Sequence, residues 1–82
     1  MSPIDKDPNS GMNAALAATL RAERAVKRIT IDELALKSGI PKRTLIRLIN
    51  AERALNIGHI VSLADALELP IEVLIERAKA RL

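Results

Sequence analysis

The stretch "ITIDELALKSGIPKRTLIRLIN", residues 29 to 50, constrains this chain more than any other feature, because it carries the signals for two short helices with almost no room between them. Thr30 followed three residues later by Glu33 is a capping-box pattern, in which each side chain satisfies an amide that a helix start leaves free, so a helix begins at Ile31. Gly39 supplies the unstrained left-handed backbone that ends it. Pro41, whose missing amide hydrogen had no partner to lose, opens a second helix that runs to about Asn50. Leu34 gives the first helix an apolar contact, Ala35 lets another backbone approach closely, and Ile40 plugs the core beside the turn. In the second helix Leu45, Leu48 and Ile49 recur on one side, while Arg43, Ile46, Arg47 and Asn50 recur on the other. One face belongs to a core and the other meets something outside it.

That core has to be built without aromatic rings. The hydrophobic share is 49%, yet Phe, Tyr and Trp are absent, which leaves Ala, Leu, Ile and Val and favours close helix packing. No stretch alternates apolar and polar residues over the length a sheet needs. Eighty-two residues suit one small domain, and the fold class expected is all-α. With no Cys there is no disulfide framework and no thiolate metal site. The longest uncharged runs, Pro8 to Leu20 and Ala54 to Ala64, fall short of the roughly 18 to 20 residues that span a bilayer. Asp5 and Asp7 stand where a signal peptide would carry basic residues, so export is not expected and a cytoplasmic location is.

Outside the central pair of helices the chain reads as follows. Residues 1 to 12, "MSPIDKDPNSGM", are expected to be a disordered tail, and residues 13 to 82 the domain. A DNA-wrapping arm would need the opposite sign from the tail's two Asp against one Lys. Helix 1 is expected from about Asn13 to Lys27, with Leu16 and Leu20 one turn apart. Asn56 is a good N-cap for helix 4, which carries Ile57, Ile60, Val61, Ala64 and Leu67 on one broad side and is expected to be largely buried. Pro70 opens helix 5, where Ile71, Leu74, Ile75, Ala78 and Leu82 keep helical spacing.

Charge is segregated along this order. From Arg21 to Arg53 there are nine Lys and Arg against four Asp and Glu, a local +5, while the remainder is a local −2. A basic middle attracts polyanions, although a solvated helical surface carries Lys and Arg outward as well. Helix 2, the Gly39 turn and helix 3 together form a helix-turn-helix, whose second helix lies free for a DNA major groove.

At this point the chain resembles the lambda repressor and Cro-like helix-turn-helix family, over residues 20 to 75 without a gap. The resemblance rests on "LRAER" leading into "ITIDELA", on "SGIPKRTLIRLIN", on the connector "ALN" and on "LADALELPIEVL". It implies a compact five-helix lambda-repressor-like domain that binds double-stranded DNA as a transcriptional regulator. It also implies that Lys42, Arg43 and Arg47 match the residues that reach base edges, where Arg donating to guanine O6 and N7 adds about 1 to 3 kcal/mol of discrimination. Ile46 between them suits a thymine methyl, or is an isolated surface aliphatic. Thr44, Asn50 and Asn56 match phosphate-contacting positions, Asn56 being a cap as well, and Arg53 lies in a connector that contacts backbone or base edges in the family. As the fifth helix does in the resembled repressors, Ile75, Ala78 and Leu82 form a two-fold seam for a homodimer, or else close the domain's own core.

Three departures from the family pattern matter. Ile31 stands where many members place a phosphate-binding Gln, and Ala51 replaces a frequent Gly. Arg24 matches an Arg that commonly pairs with a buried Glu, but that Glu position is Ile49 here, which leaves Arg24 to Glu52, Glu23, solvent or the positive surface with Arg21 and Arg28.

An enzyme is not expected, since the single His59 has no Cys or second His with which to build a metal site or a nucleophile and base pair. His59 is expected as an exposed helix residue or phosphate neighbour, and no cofactor is implied. Single-strand recognition usually stacks bases on aromatic rings, which the chain lacks. The alternative to a DNA-binding regulator is a protein-binding module, such as an antitoxin-like member with secondary DNA binding. No ligand-sensing domain is expected to follow residue 82, so control would come from concentration, a partner or the DNA.

Overall fold

A chain that must fill its interior with leucine and alanine does so by drawing one or more leucines from every helix. The computed structural model describes residues 7–82 and contains α1 (Gly11–Lys27), α2 (Ile31–Ser38), α3 (Lys42–Ile49), α4 (Ile57–Ala66) and α5 (Ile71–Lys79), with no strand among the described residues. Leu16 and Leu20 of α1, Leu34 of α2, Leu45 and Leu48 of α3, Leu63 of α4 and Leu74 of α5 meet in one cluster, with Leu67 from the α4–α5 turn. Each contributes about 1.5 to 3 kcal/mol by leaving water. Ala15, Ala64, Ala66 and Ala78 are buried among them. α1 packs along α5 and reaches α3, α2 crosses α3 and α4, and α4 closes on α5.

Polar bonds fasten α5 to α1. The nearly buried carboxylate of Glu23 pairs with the guanidinium of Arg77. Buried Thr19 donates its hydroxyl to the Ala15 carbonyl at 2.8 Å and accepts from Arg81 Nε at 3.0 Å, so both roles of that hydroxyl are filled.

The helix ends show how the sequence stops each element. The Thr30–Glu33 capping box forms as expected, and Gly39 turns at φ 74° with a single bond from its amide to the Ala35 carbonyl. The other three interior ends use residues with a Cβ in the left-handed region: Arg28 (φ 56°), Ala51 (φ 58°) and Glu68 (φ 54°). Each closes with the paired bonds of a Schellman motif. After α3, for example, the Ala51 amide donates to Leu48 and the Glu52 amide to Arg47. Ile29 and Leu69, the residues after two of these turns, pack against the core and help hold the strained backbone.

Three expectations need correction. α1 begins at Gly11, two residues ahead of the expected start, after a turn in which the Asn9 amide bonds Asp7 Oδ1 and Asn13 Nδ2 bonds the Pro8 carbonyl. The part of the expected tail from residue 1 to residue 6 lies outside the described residues. In α4 the buried side is Ile60, Leu63, Ala64 and Ala66, continuing to Leu67, while Ile57 is 70% and Val61 49% exposed. "IGHIVSLADA" is apolar nearly all round, so its spacing fits more than one face and the packing of α2 and α5 selects between them. In α5, Ala78 is 0% exposed because its small side chain sits in the core, so it has no surface to offer a second copy. Ile75 is half-buried, and Leu82, beyond the end of α5, is 72% exposed.

Candidate nucleic-acid interface

The two-sided pattern of α3 becomes two physical faces. Leu45, Leu48 and Ile49 are buried, and Leu34 and Ile40 from α2 and the turn join them in the core. Lys42, Arg43, Ile46, Arg47 and Asn50 are exposed on α3 and its cap, with Thr44 half-buried. Every candidate base-contacting residue therefore lies on one accessible surface. Arg53 is exposed in the connector and Asn56 at the start of α4.

Several of these groups already have partners. Lys42 Nζ lies 2.9 Å from Asp32 Oδ1, an exposed pair joining the first turns of α2 and α3 and contributing about 0 to 1 kcal/mol. The Asn56 side chain accepts from the His59 amide at 2.8 Å, and the Asn56 amide donates to His59 Nδ1 at 3.2 Å. His59 thus completes a capping box, a role that sequence reading did not assign, although its place three residues after Asn56 is the signal that could have found it. An accepting Nδ1 leaves the ring proton on Nε2. Hydrogen bonds from the Thr30 backbone and then its side chain hold the Glu33 carboxyl below its ordinary pKa.

Two bonds that sequence reading missed reach this region from α1. Arg21 Nη1 donates to the Ile49 carbonyl at the end of α3, and Asn13 Oδ1 accepts from the Leu55 amide at 2.8 Å in the connector. Arg24 turns neither to Glu52 nor to Glu23; its Nη1 donates to the Ile29 carbonyl at 2.8 Å, while its Nε is buried without a partner. Ala51 adopts the left-handed backbone that a Gly would supply, which settles the path of the connector.

Two helices crossed over a glycine turn, the second carrying cations outward from a five-helix core, define a helix-turn-helix DNA-binding domain. The helix-turn-helix family profile matches residues 20–74, and the chain belongs to that family, in its Cro/C1-type branch. The crystal structure of the clp gene regulator ClgR from C. glutamicum is similar, with a TM-score of 0.83 and 26% identity, covering 89% of this chain and 95% of that one. No curated protein matches the chain. The protein is a DNA-binding transcriptional regulator. No helix among the described residues is long and apolar enough to cross a membrane.

Proposed function

We propose that this regulator binds a specific duplex operator with α3 in the major groove and represses by occupying the site, in the manner of a prokaryotic or phage repressor in the cytoplasm. The observation that carries the reading is the exposed row of Arg43, Ile46, Arg47 and Asn50 on a helix whose other side is locked into the core. A reading helix must be anchored and its cations unburied, and Leu45, Leu48 and Ile49 in the core with Arg43 and Arg47 exposed support both.

Arg43 and Arg47 read guanines bidentately, Ile46 meets a thymine methyl, and Lys42 joins them after leaving Asp32, a cheap exchange for an exposed pair. Thr44, Asn50, Arg53 and Asn56 orient the domain on phosphates. Asn56 has its side-chain oxygen committed to the His59 amide, which leaves its Nδ2 for a phosphate. A homodimer would place two copies of α3 about 34 Å apart, one turn of DNA. Its seam draws on Ile75 and Leu82 without Ala78.

Selection from a random duplex pool at near-physiological salt, beside a folded Lys42, Arg43, Arg47 triple-alanine variant, tests this. An enriched motif that the variant loses supports base reading by α3, and a palindromic motif supports the dimer. No enrichment by either protein would overturn the reading and turn the search toward a protein partner, as for an antitoxin-like module.

A further inference from the structure

The segment that leaves α3 carries two opposite charges side by side. Glu52 and Arg53 are adjacent and both exposed, so its electrostatics toward a phosphate depend on which of them it presents. Neutral sequence around them gives little help in choosing: Ala51 turns inward at φ 58° and is 4% exposed, and Ala54 is exposed. The Schellman bonds of Ala51 and Glu52 close the near side of this arch, and α1 braces both of its ends. The Arg21 guanidinium takes the Ile49 carbonyl just before the arch, and the Asn13 carboxamide takes the Leu55 amide just after it. Asn13 and Arg21 are eight residues apart on one helix, anchors about 12 Å apart along its axis. Asn13 is itself held, because its Nδ2 donates to the Pro8 carbonyl at 2.6 Å.

We infer that Asn13 and Arg21 are positioning residues for DNA binding, two struts on α1 that hold the arch of residues 50–54 so that Asn50 and Arg53, and not Glu52, face the DNA backbone. This rests on the proposed reading of Arg53 and Asn50 as phosphate contacts. Neither strut needs to touch DNA, since each acts on a backbone group of the arch. Arg21 also sets a cation at the C-terminal end of α3, where the unpaired carbonyls carry partial negative charge.

Asn13→Leu is the decisive variant, because it removes the acceptor for the Leu55 amide without changing charge. It is compared with wild type, Arg53→Ala and the double variant on the duplex selected above, well below every variant's melting temperature. The expected result is about a tenfold loss of affinity for Asn13→Leu and a salt slope lowered by about one, as for Arg53→Ala. The double variant is then no weaker than the weaker single one, because both remove the same contact. A purely structural role moves the melting temperature but leaves the salt slope of the folded protein at the wild-type value. Full affinity for Asn13→Leu, or losses that multiply in the double variant, would overturn the struts while leaving the DNA reading intact. Failure of the wild type to bind any duplex would instead overturn the reading they rest on. In free protein, amide exchange at Leu55 is expected to accelerate in Asn13→Leu; fast exchange in wild type would also overturn the struts.

Discussion

The α3 helix is bounded by two turns that solve the same problem in different ways. Before it, Gly39 adopts φ 74° at no steric cost, and an added Cβ would meet nothing within 4 Å. After it, Ala51 adopts φ 58° with its methyl buried, in a conformation that costs a residue with a Cβ about 1 to 2 kcal/mol. The first turn is specified by its own residues: a capping box before it, a glycine in it, Ile40 and Pro41 after it. The second closes with its own pair of Schellman bonds and is also braced from elsewhere, by Arg21 at its start and Asn13 at its end. One end of α3 is therefore fixed by local signals alone and the other by local bonds with tertiary braces added, and they should respond to different substitutions.

The largest effect is expected at the local turn. Gly39→Val places a β-branched side chain in the left-handed region where there is space but no favourable backbone, a cost of about 2 kcal/mol. For a domain of this size the melting temperature should fall by about 8 to 16 °C. A fall of a degree or less would mean that the turn relaxes to another backbone, and the contrast with Ala51 would lose its basis.

At the second turn the comparable change is remote in sequence. Asn13→Leu leaves the Leu55 amide without its acceptor in a partly buried position, which should cost about 1 kcal/mol. The loss should appear as a melting temperature about 4 to 8 °C lower. An unchanged value would show that water replaces the carboxamide and that the second turn is also fixed by its local bonds alone.

This difference explains what could be read from the sequence. Thr30, Glu33, Gly39, Pro41 and Pro70 act on neighbours within four residues, so their effect is written beside them, and both ends of α2 and the starts of α3 and α5 follow. The two faces of α3 were legible because, Ile46 apart, its apolar and charged residues separate around the helix. The struts were not, since their partners lie 42 and 28 residues away and are backbone groups, which carry no sequence signature. Nor was the orientation of α4, whose apolar residues surround it and let neighbouring helices choose the buried side. The assignment of Lys42, Arg43, Ile46 and Arg47 to bases rests on exposure and family likeness, since a surface becomes a contact only when the DNA is in place.

A smaller effect separates strain from burial among the left-handed turns. Replacing Glu68 with Gly relieves about 1 to 2 kcal/mol of strain, offset by about 0.4 to 1 kcal/mol of added freedom in the unfolded chain. Removing an acidic group from a helix C-terminus acts in the same favourable direction, so a net gain of about 0.5 to 1 kcal/mol is expected. Ala51→Gly relieves the same strain but also removes a buried methyl worth about 0.8 kcal/mol, leaving a change near zero. That near-cancellation is the physical reason an alanine can stand at this turn. Denaturant unfolding of both variants checks it. Equal gains would mean that the Ala51 methyl contributes nothing and that the turn carries uncompensated strain.

The smallest effect lies in the capping box that starts α2, and its sign follows from one carboxylate. Glu33 accepts from the Thr30 amide and hydroxyl, each at 3.1 Å, and these bonds favour the ionised form and hold its pKa below the ordinary value. A carboxyl with a lowered folded pKa adds stability above its unfolded pKa, about 4.3, and that stability disappears as pH falls through the lower folded value. Glu33→Gln keeps an acceptor at the same capping position and removes only the charge. Wild type should therefore melt slightly higher than the variant at pH 7, and the gap should close as pH is lowered below about 4. A gap that persists in acid would assign the effect to amide geometry. A gap absent at pH 7 would mean that water screens the charge fully at this exposed site, and that the first turn owes its definition to Gly39 and the Thr30 hydroxyl.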